Sequence, residues 1–157
     1  MRQELALLAD AVGRGLVAGL AGTAAMTLSS MVEMKLRGRS ASKTPAQAIC
    51  KTLGLETVDD QAQERLNNLV HWGYGTAWGA LRGLIAAAGV TGLPATLIHF
   101  GLVWGAEQVM LPKTGVAPPV TEQPANEIAI DAWHHLVYAQ ATGALYDALF
   151  AERRTIT

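Results

Sequence analysis

Two glutamates and two histidines hold the chemistry this sequence offers: Glu33, His71, Glu107 and His135. Imidazole nitrogens take up and release protons near neutral pH, and imidazole and carboxylate together suit zinc or iron. Tyr74 and Tyr138 follow the two histidines by three positions, about one helical turn. The surroundings repeat as well. His71-Trp-Gly-Tyr74-Gly75-Thr-Ala77-Trp-Gly79-Ala80-Leu81 aligns with His135-Leu-Val-Tyr138-Ala139-Gln-Ala141-Thr-Gly143-Ala144-Leu145, sharing H-x-x-Y-[GA]-x-A-x-G-A-L. Upstream of each lies a segment with a late glutamate, Glu33 before Leu36 and Glu107 before Leu111. The chain therefore reads as two tandem copies of a glutamate-bearing helix followed by a histidine-bearing helix.

The elements that must position these groups are four apolar stretches, 13–34, 69–90, 93–111 and 130–150. Each is near the roughly 20 residues that cross a bilayer's hydrocarbon core. The expected fold is all-α, a four-helix transmembrane bundle of two tandem helical hairpins in one domain. An even number of helices per copy gives a pseudo-two-fold repeat about an axis along the membrane normal. Gly15–Val32 has no charged residue, unlike a soluble amphipathic helix with its polar face. Small residues four apart predict close helix packing: Gly15 and Gly19, Gly75 and Gly79, Gly101 and Gly105, and Ala139 with Gly143. The connection 37–68 is polar and partly helical, with Thr44 as N-cap, Pro45 at the first helical position, Gly54 as terminator, and a second polar helix from Val58 to Asn68. The Pro-rich stretch 112–124 is expected to be extended. Alternating helix directions then bring Glu33, His71, Glu107 and His135 to one end, with Tyr74 and Tyr138 one turn further in.

Three chemistries fit such a cluster. It satisfies polar groups structurally, it ligates zinc or iron through Glu33, His71, Glu107 and His135, or it lines a proton or ion path. A cofactor is not required by the first and third. The Glu-x-x-His spacing of di-metal bundles is absent from both histidine-bearing stretches. Arg82 and Asp147 are expected toward the other end, either as an ion pair between helices or, the favoured reading, with Arg82 reaching to the headgroups. Of Trp72, Trp78, Trp104 and Trp133, at least two are placed for an interfacial belt.

Composition narrows the function classes. Half of the 157 residues are hydrophobic and 16% are charged, against about 25% in soluble proteins. A net charge of −1 excludes an ordinary nucleic-acid binder. The single cysteine, Cys50, excludes an internal disulfide and a multi-cysteine zinc site. Ser–His–Asp, P-loop, dinucleotide and zinc-protease signatures are absent, so an enzyme is not expected. Gly13–Val32 exceeds the apolar length of a cleaved signal and is read as a retained helix. The end carrying Glu33 holds Lys35, Arg37, Arg39, Lys43, Lys51, Arg65 and Lys113, which leans that end to the cytoplasm. The expected function is a non-enzymatic scaffold or accessory protein, or one handling protons or a small ion; a metal-binding or redox membrane protein is the alternative. Expected partners are the lipid bilayer and a second copy or another membrane protein.

The motifs G-L-x-A-G-x-x-G-T-x-A-M from Gly15, H-x-x-Y-G-x-x-x-G from His71 and H-L-V-Y-A-x-x-x-G-A-L from His135 resemble the YagU-like bacterial inner-membrane proteins. The resemblance spans about Gly13 to Leu149 and is weakest in the long connection and the third stretch. It implies a small multi-pass protein of the bacterial inner membrane with a loose link to acid stress. It implies no catalytic residues.

Overall fold

The structure, a computed structural model, describes residues 2–40, 42–55 and 59–154, with side chains for all of these except 45 and 150–154. Gly15–Val32 carries neither charge nor proline, so nothing interrupts the helix there. It grows into α1, Arg2–Arg37, with Glu4 in the first turn and Lys35 and Arg37 in the last, both favourable to the helix dipole. A short helix follows, α2 (Thr44–Leu53), closed by Gly54 at φ 64°, a left-handed conformation that favours glycine. Its N-cap is Lys43, so Thr44 lies inside the first turn rather than capping it. Asp59 caps α3 (Asp60–Ala87), its side chain accepting from the Ala62 N–H at 2.6 Å. Then come α4 (Gly92–Thr114), a 3₁₀ turn at Val120–Glu122, and α5 (Ala125–Arg154).

Several boundaries differ from those expected. The polar segment before Leu69 and the apolar one after it form the single helix α3, because the Asp59 cap starts the helix at Asp60 and nothing after it breaks the run. Val58, expected at the head of that helix, lies outside the described residues. Pro112 sits inside the last turn of α4, which continues to Thr114 and closes at Gly115, so the Pro-rich stretch is helical at both its start and its 3₁₀ turn.

The transmembrane reading is corrected most. The protein is all-α, but among the described residues only α1 is long and apolar enough to cross a membrane, with a mean hydropathy of 1.5 over 18 residues. A four-helix transmembrane bundle is not what this chain forms by that measure. The physical reason is dilution by polar side chains. Arg65, His71 and Arg82 fall in α3, His99, Glu107 and Gln108 in α4, and Asp131, His134, His135 and Asp147 in α5. The apolar window of α1 is not a buried core helix either, since 28% of it is buried within the protein.

The long helices lie side by side. α1 packs chiefly on α3 and then on α5, α4 packs chiefly on α5, and α2 rests on α3. Glycine permits the α1–α3 approach. A Cβ built on Gly19 would stand 2.7 Å from Gly79 Cα, and Gly15 and Gly83 likewise meet the backbone of the facing helix. Gly75 lies against Thr23, and Gly143 against Thr96. A Cβ on Gly101 or Gly105 of α4 would have nothing within 4 Å among the described residues, so that pair meets none of the other helices there. Val103, Tyr138 and Ala139 form an apolar cluster with Met26, Trp78 and Phe100.

Polar groups are buried alongside them. Arg82 is fully buried rather than reaching outward, pairs with Asp147 at 2.5 Å, and lies 4.6 Å from the centre of the Tyr146 ring. The expectation that Arg82 reaches to the headgroups is therefore corrected: the carboxylate and the ring compensate its charge inside the protein. His99 is also fully buried, its Nε2 bonded to the Trp78 carbonyl at 3.0 Å.

Candidate functional site

α4 and α5 build a cluster from residues at helical spacing. Trp104, Glu107 and Gln108 stand three and four apart on α4, so they share a face. Asp131 and His135 stand four apart on α5, one turn above each other. His135 Nε2 meets Glu107 Oε2 at 2.6 Å, and its Nδ1 lies 3.0 Å from the Asp131 carbonyl and 3.4 Å from Asp131 Oδ1. Asp131 Oδ2 accepts from Trp104 Nε1 at 2.8 Å and from Gln108 Nε2 at 3.3 Å. One ligand-type atom from each of Glu107, Asp131 and His135 lies within 4.8 Å of the other two. His135 is buried and the two carboxylates are half-buried.

The hydrogen bonds set the tautomer of His135. A carbonyl only accepts, so Nδ1 bears a hydrogen and donates it to Asp131. Nε2 then faces the Glu107 carboxylate at a distance where one proton is held between them.

A second group lies beside the first. His134 Nδ1 meets Ser29 Oγ at 2.9 Å, while its Nε2 stands 3.9 Å from Glu33. Glu33 itself is held by Arg37 at 3.1 Å and Arg39 Nε at 2.8 Å, so its oxygens are committed to guanidinium groups. Arg37 continues to Glu127. That contact holds the Glu127 carboxyl below the usual carboxylate range, the Arg37 hydrogen bond being the main cause, against slight burial. His71 Nε2 lies 2.9 Å from Thr27 Oγ1. Thr27 spends its hydroxyl hydrogen on the Thr23 carbonyl at 2.7 Å, so it accepts from His71, which carries its hydrogen on Nε2.

The six residues expected to cluster thus divide. Glu107 and His135 join directly. Glu33 turns to arginines, and His71 turns to Thr27. Tyr138 is buried and donates to the Gly75 carbonyl at 2.6 Å, bracing α5 on α3. Tyr74 is exposed, its ring edge-on to Trp78 at 5.8 Å. The proposed ligand set of Glu33, His71, Glu107 and His135 does not close around one point. Sequence reasoning missed Asp131 and His134, although Asp131-x-x-x-His135 is a legible pair at one-turn spacing. No protein family model, curated protein or solved structure matches this chain.

Proposed function

We propose that this chain is a non-enzymatic protein of a bacterial plasma membrane that handles a small ion, with α1 crossing the bilayer and the Glu107–Asp131–His135 cluster as the place where the ion is held. One observation carries the reading: polarity is distributed inside out. Leu16, Val17, Leu20, Leu28, Met31 and Val32 of α1 are exposed. Arg82, His99, Thr23 and Thr142 are fully or almost fully buried. In water the reverse is expected, because exposing leucine and burying arginine both cost free energy. In hydrocarbon this arrangement is favourable. From Leu16 to Leu36 the α1 axis rises about 30 Å, the thickness of a hydrocarbon core. Ionisable side chains gathered in a partly buried cluster are costly, which makes this cluster the candidate place for an ion. The resemblance to YagU-like proteins supports the bacterial inner membrane as the location.

The test has two parts on the full chain. Alkaline carbonate washing of membranes should leave the protein in the pellet; release into the wash would refute the membrane assignment. Purified protein in liposomes should carry an ion flux that Glu107→Gln reduces at least ~10-fold while Glu33→Gln does not; equal flux in all three would refute the role given to the cluster.

A further inference from the structure

We infer that Glu107, Asp131 and His135 form a site for one divalent transition-metal ion of the zinc and iron(II) class. The inference rests on the small-ion reading above and names the ion.

Ligand chemistry comes first. One imidazole nitrogen with carboxylate oxygens suits zinc, iron(II) or manganese; calcium and magnesium prefer oxygen alone, and copper(I) prefers sulfur. The protein's one sulfur nucleophile, Cys50, is on α2 and not in the cluster. Distances come next. Zinc binds nitrogen and oxygen at about 2.0–2.2 Å, which puts two ligand atoms of a tetrahedral ion about 3.3 Å apart. One ligand-type atom from each residue lies within 4.8 Å of the other two, and His135 Nε2 and Glu107 Oε2 are 2.6 Å apart. Seating an ion requires that pair to open by about 0.7 Å and the third to close in, movements available to side-chain rotation without shifting a helix.

The supports around the cluster are those a metal site needs. A ligating histidine normally donates its other N–H to a carbonyl or carboxylate, which fixes the ring and leaves one nitrogen for the ion. His135 Nδ1 does this to the Asp131 carbonyl at 3.0 Å, which presents Nε2. A ligating carboxylate is itself normally hydrogen-bonded. Trp104 and Gln108 hold Asp131 Oδ2 in that way, while Oδ1 lies 3.4 Å from His135 Nδ1 and joins an ion on Nε2 by turning toward it. Charge agrees too. When an ion displaces the proton held between His135 and Glu107 and that proton leaves to solvent, two carboxylates and a neutral imidazole sum to −2, which a divalent cation cancels in a half-buried place where net charge is expensive. The neighbouring Glu33–His134 group offers no rival site, because Glu33 is already neutralised by Arg37 and Arg39.

The experiment is equilibrium dialysis of full-length protein in detergent micelles against zinc chloride, with bound metal read by elemental mass spectrometry. Wild type should hold one zinc per chain. His135→Gln and the nearly isosteric Asp131→Asn and Glu107→Gln should each lower zinc affinity at least ~10-fold. His71→Gln and Glu33→Gln should retain full occupancy, and circular dichroism reports whether each variant keeps its helices. Absence of zinc from folded wild type overturns the inference, as does equal occupancy in the three cluster variants. Calcium bound as tightly as zinc also overturns it, since that would mark an unselective acidic patch. The two readings fail separately. Liposome flux lost in Glu107→Gln without any zinc binding leaves ion handling standing and removes the metal. Stoichiometric zinc with no flux does the opposite.

Discussion

Replacing Gly19 by alanine tests the α1–α3 contact on which the whole arrangement depends. The new methyl carbon would sit 2.7 Å from Gly79 Cα, 2.7 Å from the Thr76 carbonyl oxygen and 3.0 Å from Gly79 N. Ordinary contact is 3.4–4 Å, and every one of these neighbours is backbone, which cannot swing aside. The two helices must therefore part by about 1 Å at the crossing. A gap of that size forfeits up to half of each atom-pair attraction of ~0.1–0.2 kcal/mol, so about 40 pairs lose ~3 kcal/mol. Alanine's better helix propensity returns ~1 kcal/mol, leaving a net loss of ~2 kcal/mol. For a chain of this size that lowers the melting midpoint by about 4–8 °C. Gly101→Ala supplies the contrast. Nothing lies within 4 Å of that position, so only the propensity gain remains and the midpoint should hold or rise. Thermal unfolding in one detergent, followed by circular dichroism, compares the two directly. A Gly19→Ala protein as stable as wild type, or a Gly101→Ala protein less stable than Gly19→Ala, would refute the packing described here.

Two further outcomes follow from named contacts. Asp147→Asn should destabilise by ~2–4 kcal/mol in the same assay, because it leaves the guanidinium of fully buried Arg82 without its counter-charge. Arg82→Met should cost less, since Asp147, 38% exposed, then reaches solvent; the reverse order would mean that the pair is not buried as described. Glu127 gives an acid dependence whose sign can be fixed. Its carboxyl is held below the usual range in the folded protein, chiefly by Arg37, so the stabilisation is present above the ordinary glutamate value of about 4.3 and is lost as pH falls through the folded value. Glu127→Gln should therefore melt below wild type at neutral pH and converge with it in acid, and added salt should shrink the gap, as the pair is at the surface. Parallel curves at all pH values would sink that assignment.

The helical class of this chain was legible because its signals are local. Asp59 and Gly54 act within a turn of their own position, and the uncharged run from Gly15 to Val32 leaves a helix nothing to stop at. Membrane crossing was not legible in the same way. Apolar length alone marked four stretches, yet all four carry histidines, arginines or acids, and only the first confines them to its ends, at Arg14 and Glu33. Arg82 shows the difficulty. Its sequence position allowed either an outward reach or a buried pair, and the choice was made by Asp147 and the Tyr146 ring, which lie on another helix. Glycine spacing raised the same problem. Gly15, Gly19, Gly75 and Gly79 meet across α1 and α3, whereas Gly101 and Gly105 have the identical spacing and meet nothing among the described residues. Spacing says that a face is flat; it does not say which face another helix chooses.

Axial rotation is also why the candidate site came out differently from its forecast. Depth along a helix follows from counting residues, and depth alone groups Glu33, His71, Glu107 and His135. Whether two groups at one depth touch depends on how each helix is turned about its axis, and that is fixed by packing over its full length. α5 is turned so that His135 faces Glu107 while His134 faces Ser29 on α1. Adjacent residues on a helix point about 100° apart, so no rotation could send both toward one neighbour. Glu33 had a competing claim that depth could not reveal: Arg37 stands four residues on, and Arg39 reaches it from just past the helix end, where two guanidinium groups outbid an imidazole. Asp131 needed no tertiary knowledge, since a carboxylate one turn before a histidine on the same helix is close to it whatever the rotation. A metal or proton site in a helical protein is therefore better sought first as pairs one turn apart on a single helix. Depth matching then nominates the third group, which in this chain is Glu107.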